Sequence, residues 1–151
     1  MPRTIKVLAV ASGGGHWQQL MLLRRALAPF ATTFATTDGR MALRSGVSST
    51  LHLSDCSRQR PMRAMLCALQ LGYIVLRRRP DVVISTGALP GAIALVVGKL
   101  FGARTIWIDS IANAEVMSSS ARSVRRFADL WLSQWQDVAA ASGALWRGSV
   151  L

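Results

Sequence analysis

A short run of β-branched and aliphatic residues that stops at glycine and passes into helical spacing narrows the fold of this chain more than any other feature, and it occurs twice. Ile5 to Ala11 ends at Ser12-Gly13-Gly14-Gly15, and from His16 to Ala28 apolar residues recur at helical intervals until Pro29. Asp81-Val82-Val83-Ile84-Ser85 ends at Thr86-Gly87-Ala88-Leu89-Pro90-Gly91, and a helix is expected from Ala92 to Phe101. Between and beyond these units the pattern predicts strands at 32–36, 49–53, 105–108 and 130–132, a turn at Asp38-Gly39, a helix over 58–79 closed by Pro80, and a short basic helix over 118–127. Strands apolar on both faces and alternating with helices predict an α/β, Rossmann-like parallel sheet with helices on both faces. Right-handed crossovers then bring the strand-to-helix loops at Gly13, Gly87 and Asp109 to one edge of the sheet, where ligands bind in this architecture.

The length, 151 residues, fits one domain and is short for two nucleotide-binding lobes, so a single unit over 1–151 is expected. With 51% hydrophobic and 17% charged residues the chain is far from the disordered class. Its formal charge is +11, and 16 of its 18 basic residues are arginine, which suits bidentate contacts with phosphates of lipid, nucleic acid or nucleotide. Cys56 and Cys67 have neither CxxC nor Cys/His spacing, which argues against a disulfide framework or zinc site and for a reducing setting. Ile5 to Ala11 is too short for the apolar core of a secretory leader and runs into a glycine loop, so no export is implied.

The loop Ser12, Gly13, Gly14, Gly15 permits close approach of a ligand to helix-terminal amides, as a phosphate or a polar sugar requires. It is not a dinucleotide fingerprint, because the third glycine would fall at Gln18, and no GK[ST] follows to make it a P-loop. Taken alone, the same loop could be no more than a tight turn. His16, at the start of the helix, is placed to accept a proton from a hydroxyl, although a lone histidine is often structural. Asp109 ends a strand at the same edge and could orient or deprotonate an acceptor, or merely cap a helix.

The segment 58–79 carries six arginines and no acid. Arg58, Arg60 and Arg63 precede the uncharged stretch 64–76, and Arg77, Arg78 and Arg79 follow it. Thirteen uncharged residues fall short of the roughly 20 that span a bilayer. Apolar surface with arginine at both ends suits an anionic membrane surface instead, with Met62, Met65 and Tyr73 expected outside. A core helix with solvated ends is the alternative. Trp131, Trp135 and Trp146 read as core or interface residues rather than base-stacking ones.

Four ordered motifs carry a resemblance: Val10-Ala11-Ser12-Gly13-Gly14-Gly15-His16, Arg79-Pro80-Asp81-Val82-Val83-Ile84-Ser85-Thr86-Gly87-Ala88, Ile106-Trp107-Ile108-Asp109-Ser110, and Ala128-Asp129-Leu130-Trp131-Leu132-Ser133-Gln134-Trp135. Over nearly the whole chain these resemble the accessory subunit of the eukaryotic two-component N-acetylglucosaminyltransferase of lipid-linked oligosaccharide synthesis, and its bacterial relatives in capsule and exopolysaccharide synthesis. The resemblance implies the N-terminal lobe of a GT-B glycosyltransferase, similar to the first lobe of the peptidoglycan enzyme that adds N-acetylglucosamine to its lipid-linked precursor. It also implies a separate catalytic subunit that binds the UDP-sugar donor, and transfer to a polyprenyl-diphosphate-linked acceptor at the cytoplasmic face of the membrane, without cofactor or essential metal. By motif position it carries His16 and Asp109 as catalytic candidates, and Ser12, Gly13, Gly14, Gly15, Thr86, Gly87 and Ser110 as substrate-binding ones. The tail 146–151 resembles the family's partner-binding segment, through Trp146, Val150 and Leu151.

Two departures stand out. The acidic position is usually glutamate in relatives and is Asp109 here, and the N-terminal transmembrane helix of the eukaryotic subunit has no counterpart in this sequence, so attachment would be peripheral. A basic nucleic-acid-binding domain is the first rival, disfavoured because the arginines bracket apolar stretches and no nucleic-acid motif is present. A self-sufficient small nucleotide-dependent enzyme is the second, disfavoured by the missing fingerprint.

Overall fold

The computed structural model describes residues 3–47 and 49–150. The chain runs β1 (Lys6–Ala11), α1 (Gly15–Leu22), α2 (Arg24–Leu27), β2 (Ala31–Thr36), α3 (Gly39–Arg44), β3 (Thr50–His52), α4 (Pro61–Arg78), β4 (Val82–Ser85), α5 (Ala88–Leu100), β5 (Arg104–Ile108), α6 (Ser119–Val124), β6 (Leu130–Ser133), α7 (Gln136–Ser142) and β7 (Leu145–Trp146), with a 3-10 turn at Arg125–Phe127. Among the described residues the seven strands form one sheet in the order β3-β2-β1-β4-β5-β6-β7, every neighbouring pair parallel. The chain leaves β1 toward β2 on one side and leaves β4 toward β5 on the other, so a crevice opens between these neighbours at the carboxyl edge.

Both faces of the central strands are buried, as their unbroken apolar runs require. Leu8 and Val10 of β1 face a core with Cys67 and Leu71 of α4, Leu95 of α5 and Val124 of α6. Val7, Ala9 and Ala11 face the opposite core with Trp17 and Leu20 of α1 and Phe34 of β2. Burial of each such leucine is worth about 1.5–3 kcal/mol. Helix α5 lies so close to β4 that a Cβ on Gly98 would sit 2.5 Å from Val83 Cγ2. Cys56 and Cys67 are free, buried and in contact, and burial pushes the Cys67 thiol up to about 12.

Four local expectations change. The helix expected over 16–28 is two, because the Leu23 amide tightens onto the Leu20 carbonyl at 3.1 Å and ends α1. The Asp38-Gly39 turn instead opens α3, with Asp38 Oδ1 accepting from the amides of Arg40 (3.0 Å) and Met41 (3.2 Å). Helix α5 starts at Ala88 rather than Ala92, since Pro90 in a first turn forfeits no intrahelical bond. The segment after β6 holds α7 and the added edge strand β7.

Candidate functional site

The two glycine loops meet at the crevice through one pair of residues. His16 Nδ1 lies 3.0 Å from the Thr86 carbonyl oxygen, and Thr86 Oγ1 donates to the His16 carbonyl at 2.7 Å. A carbonyl only accepts, so Nδ1 carries the hydrogen, and in the neutral ring Nε2 is the acceptor nitrogen. His16 is half-buried in the first turn of α1, beside amides that have no acceptor within the helix.

The glycines divide by task. Gly87 has φ 143°, and a Cβ there would lie 2.3 Å from His16 Nδ1, so the residue is glycine because the imidazole packs on its backbone. Ala88, the next residue, holds φ 65°, an uncommon strained value for a residue with a side chain. Gly13 makes room for Asp38, whose Cβ would be 2.7 Å from an added one. A Cβ on Gly14 or Gly15 would meet open space, so this part of the loop is exposed to an incoming group. The Ser12 hydroxyl is 3.4 Å from the Gly13 carbonyl, a local contact only.

Asp109 is placed at the same edge but does different work. It is 1% exposed, and its carboxylate accepts four hydrogen bonds. Trp107 Nε1 (3.1 Å) and Ser118 Oγ (2.7 Å) reach Oδ1; Asn113 Nδ2 (3.1 Å) and the Ser118 amide (2.8 Å) reach Oδ2. These occupy the four acceptor positions of a carboxylate. The arrangement ties Asp109 to the 110–118 loop. Ser110 begins that loop, its hydroxyl accepting from the Ala112 amide at 3.2 Å.

Two buried residues that the motifs did not single out join these parts. Gln19 Nε2 and Gln134 Nε2 both donate to the Asp109 carbonyl oxygen, at 3.2 and 2.9 Å. No local signal marks them in sequence, since Gln19 sits beside Gln18 and Gln134 between Ser133 and Trp135.

Helix α4 presents two apolar faces. Cys67, Leu71, Ile74 and Val75 point into the core. Met62, Met65, Leu66, Leu69, Tyr73 and Leu76, spaced at 3, 1, 3, 4 and 3, form an exposed stripe. Met62, Met65 and Tyr73 are outside as expected, and the leucines extend them. Arg63, Arg77 and Arg78 lie on the helix, Arg60 precedes it and Arg79 ends it in the left-handed conformation. Arg58 donates to the Ser119 carbonyl and, at 2.8 Å, to Ser123 Oγ, tying this loop to α6. Among the described residues no helix is long and apolar enough to cross a membrane. No group of three or more His, Cys, Asp or Glu among them could hold a metal ion.

At the far edge Trp146 is exposed on β7, three strands from β4, and Val150 is tied to Gln134. Leu151 lies outside the described residues.

No protein-family profile and no curated protein matches the chain by sequence. Solved structures do match it. Acinetobacter baumannii MurG superposes with a TM-score of 0.76 at 13% identity, over 89% of this chain and 43% of that one. S. aureus MnaA in a co-structure with UDP gives 0.72 at 11% identity, over 91% and 40%. UDP-GlcNAc 2-epimerase from Neisseria meningitidis bound to UDP-GlcNAc gives 0.72 at 10%, over 90% and 42%. The chain thus spans less than half the length of these structures, and its fold is the Rossmann-like lobe of the GT-B type.

Proposed function

We propose that this chain is the acceptor-side, membrane-recruiting subunit of a split UDP-sugar-dependent glycosyltransferase acting on a polyprenyl-diphosphate-linked saccharide, completed by a separate donor-binding subunit. The observation that carries the reading is the His16–Thr86 pair at the switch point of a GT-B-type lobe, which commits Nδ1 as the donor and makes Nε2 the nitrogen that can accept, beside helix-terminal amides. In this reading His16 Nε2 takes the proton of the acceptor hydroxyl as the glycosyl bond forms, with inversion, and UDP leaves. The Gly15 amide, in the first turn of α1, offsets charge on the departing diphosphate. Asp109 is a positioning residue here, shaping the acceptor rim through Asn113 and Ser118.

The likeness to UDP- and UDP-GlcNAc-bound structures, of which the chain covers 40% and 42%, supports a sugar-nucleotide setting for this lobe. The exposed stripe on α4, framed by arginine, supports peripheral attachment to an anionic membrane surface. The apolar tail with Trp146 and Val150 supports docking of the partner.

The test substitutes His16→Gln in the chain co-purified with the product of the neighbouring gene and follows UDP release with a membrane lipid extract. The expected result is a fall of about 10²-fold or more, the usual share of a general base, with complex formation intact. Full turnover in His16→Gln would remove the assignment.

A further inference from the structure

We propose that Gln134 and Gln19 are positioning residues that couple the C-terminal segment 147–150 to the crevice, so that docking of this segment sets the 110–118 loop and the helix carrying His16. Three segments distant in sequence converge on one atom, the Asp109 carbonyl oxygen, which accepts from Gln19 Nε2 on α1 and from Gln134 Nε2 just after β6. Each glutamine then offers its own oxygen to a different backbone amide. Gln19 Oε1 accepts from the Ile111 amide at 3.0 Å, and Gln134 Oε1 accepts from the Val150 amide at 3.0 Å. Both side chains are 4% exposed, and both ends of each amide are engaged. Trp135 Nε1 adds a bond to the Ile111 carbonyl at 2.7 Å, so the first turn of the loop is held from both sides.

The coupling follows from the rigidity of a primary amide. Its oxygen and nitrogen share one plane, and a buried carboxamide oxygen without a partner is costly. If the segment leaves, Oε1 loses both the Val150 amide and the Ser149 hydroxyl at 3.5 Å, and rotation of Gln134 toward a new donor takes Nε2 off the Asp109 carbonyl. The Asp109 carbonyl then rests on Gln19 alone, one turn beyond His16 on α1. The segment 147–150 forms one wall of a small cleft of about 180 Å³ whose other walls include Leu23, Ile108 and Leu132, so a bound chain could engage it there. The identity of that chain rests on the split-enzyme reading; the coupling does not.

The experiment uses the full chain and two variants, one lacking 147–151 and the other Gln134→Glu, which still accepts from Val150 but cannot donate to Asp109. Amide exchange at Ile111 and Ser118 is followed by NMR, together with the Cε1–H resonances of His16 and His52, the two histidines of the chain. Faster exchange at Ile111 and Ser118 by tenfold or more in both variants, with His16 shifted and His52 on distant β3 unmoved, is the expected result. Val150 stays protected in Gln134→Glu. Unchanged exchange at Ile111 and Ser118 in either folded variant overturns the coupling, and Gln134→Glu serves alone if the truncated chain does not fold. In the assembled pair Gln134→Glu is expected to raise KM for the lipid acceptor more than it lowers kcat. A wild-type pair without transferase activity would sink the proposed function and leave the exchange result standing.

Discussion

Replacing Gly87 by alanine isolates the contact on which the site depends. The new Cβ would lie 2.3 Å from His16 Nδ1 and 2.4 Å from Cε1, on a residue with φ 143° and ψ −177°. The backbone region is one that glycine alone enters readily, which costs about 1–3 kcal/mol. The overlap forces the imidazole away for about another 1–3 kcal/mol, and loss of its bond to Thr86 adds about 1 kcal/mol. The sum is roughly 3–7 kcal/mol, a large part of the 5–15 kcal/mol that holds most domains together. Gly14→Ala supplies the comparison, because φ is 77° there but the Cβ meets nothing, so only the backbone cost of about 1–3 kcal/mol applies. Urea unfolding of both variants, and of Gly87→Ala in a His16→Ala background, forms a double-mutant cycle. Without the imidazole, Gly87→Ala should cost about 2–4 kcal/mol less than it does in the parent chain. Equal costs in the two backgrounds would show that the histidine does not pack on this loop, and the argument for a poised Nε2 would go with it.

Other substitutions and conditions follow from the same contacts. Asp109→Asn keeps one oxygen for two donors and turns an NH2 toward the other two, so it should cost about 2–4 kcal/mol and lower Tm by roughly 5–12 °C in thermal denaturation. The Lys6 amide beside Asp81, with Arg3, and the Lys99 side chain on Asp129 hold both carboxyls below the usual carboxylate range. Their contribution is therefore complete above the unfolded value near pH 4 and is lost as pH falls through the lower folded value, which urea midpoints between pH 5 and pH 2 would register. Charged residues at Leu69 and Tyr73, both on the exposed stripe of α4, should abolish co-sedimentation with phosphatidylglycerol vesicles while changing stability by less than about 0.5 kcal/mol. Unimpaired sedimentation would assign the stripe to something other than lipid.

The sheet and the crevice were legible because their signals are local. An apolar run ending in glycine marks β1 and β4, and chain order with right-handed crossovers then brings His16 beside Thr86. Less was legible where a local signal has two outcomes. Asp38-Gly39 fits a turn as well as a helix cap, and Pro90 suggests a loop although a first helical turn accepts it. Helix α7 and the two-residue β7 are too short for periodicity to mark them. Asp109 was found by its place after a strand, but its task was not, since Ser118, Asn113, Gln19 and Gln134 reach it only once the chain is folded. Arg58 likewise carries no sequence mark distinguishing it from Arg60, yet it binds α6.

The central claim is that this chain supplies one half of a transferase. The direct measurement is to co-express it with the product of the adjacent gene, purify through a tag on this chain alone, and measure UDP release from UDP-sugars with a membrane lipid extract. The expected result is a stable pair whose activity neither chain has alone; turnover by this chain without a partner would refute the split transferase.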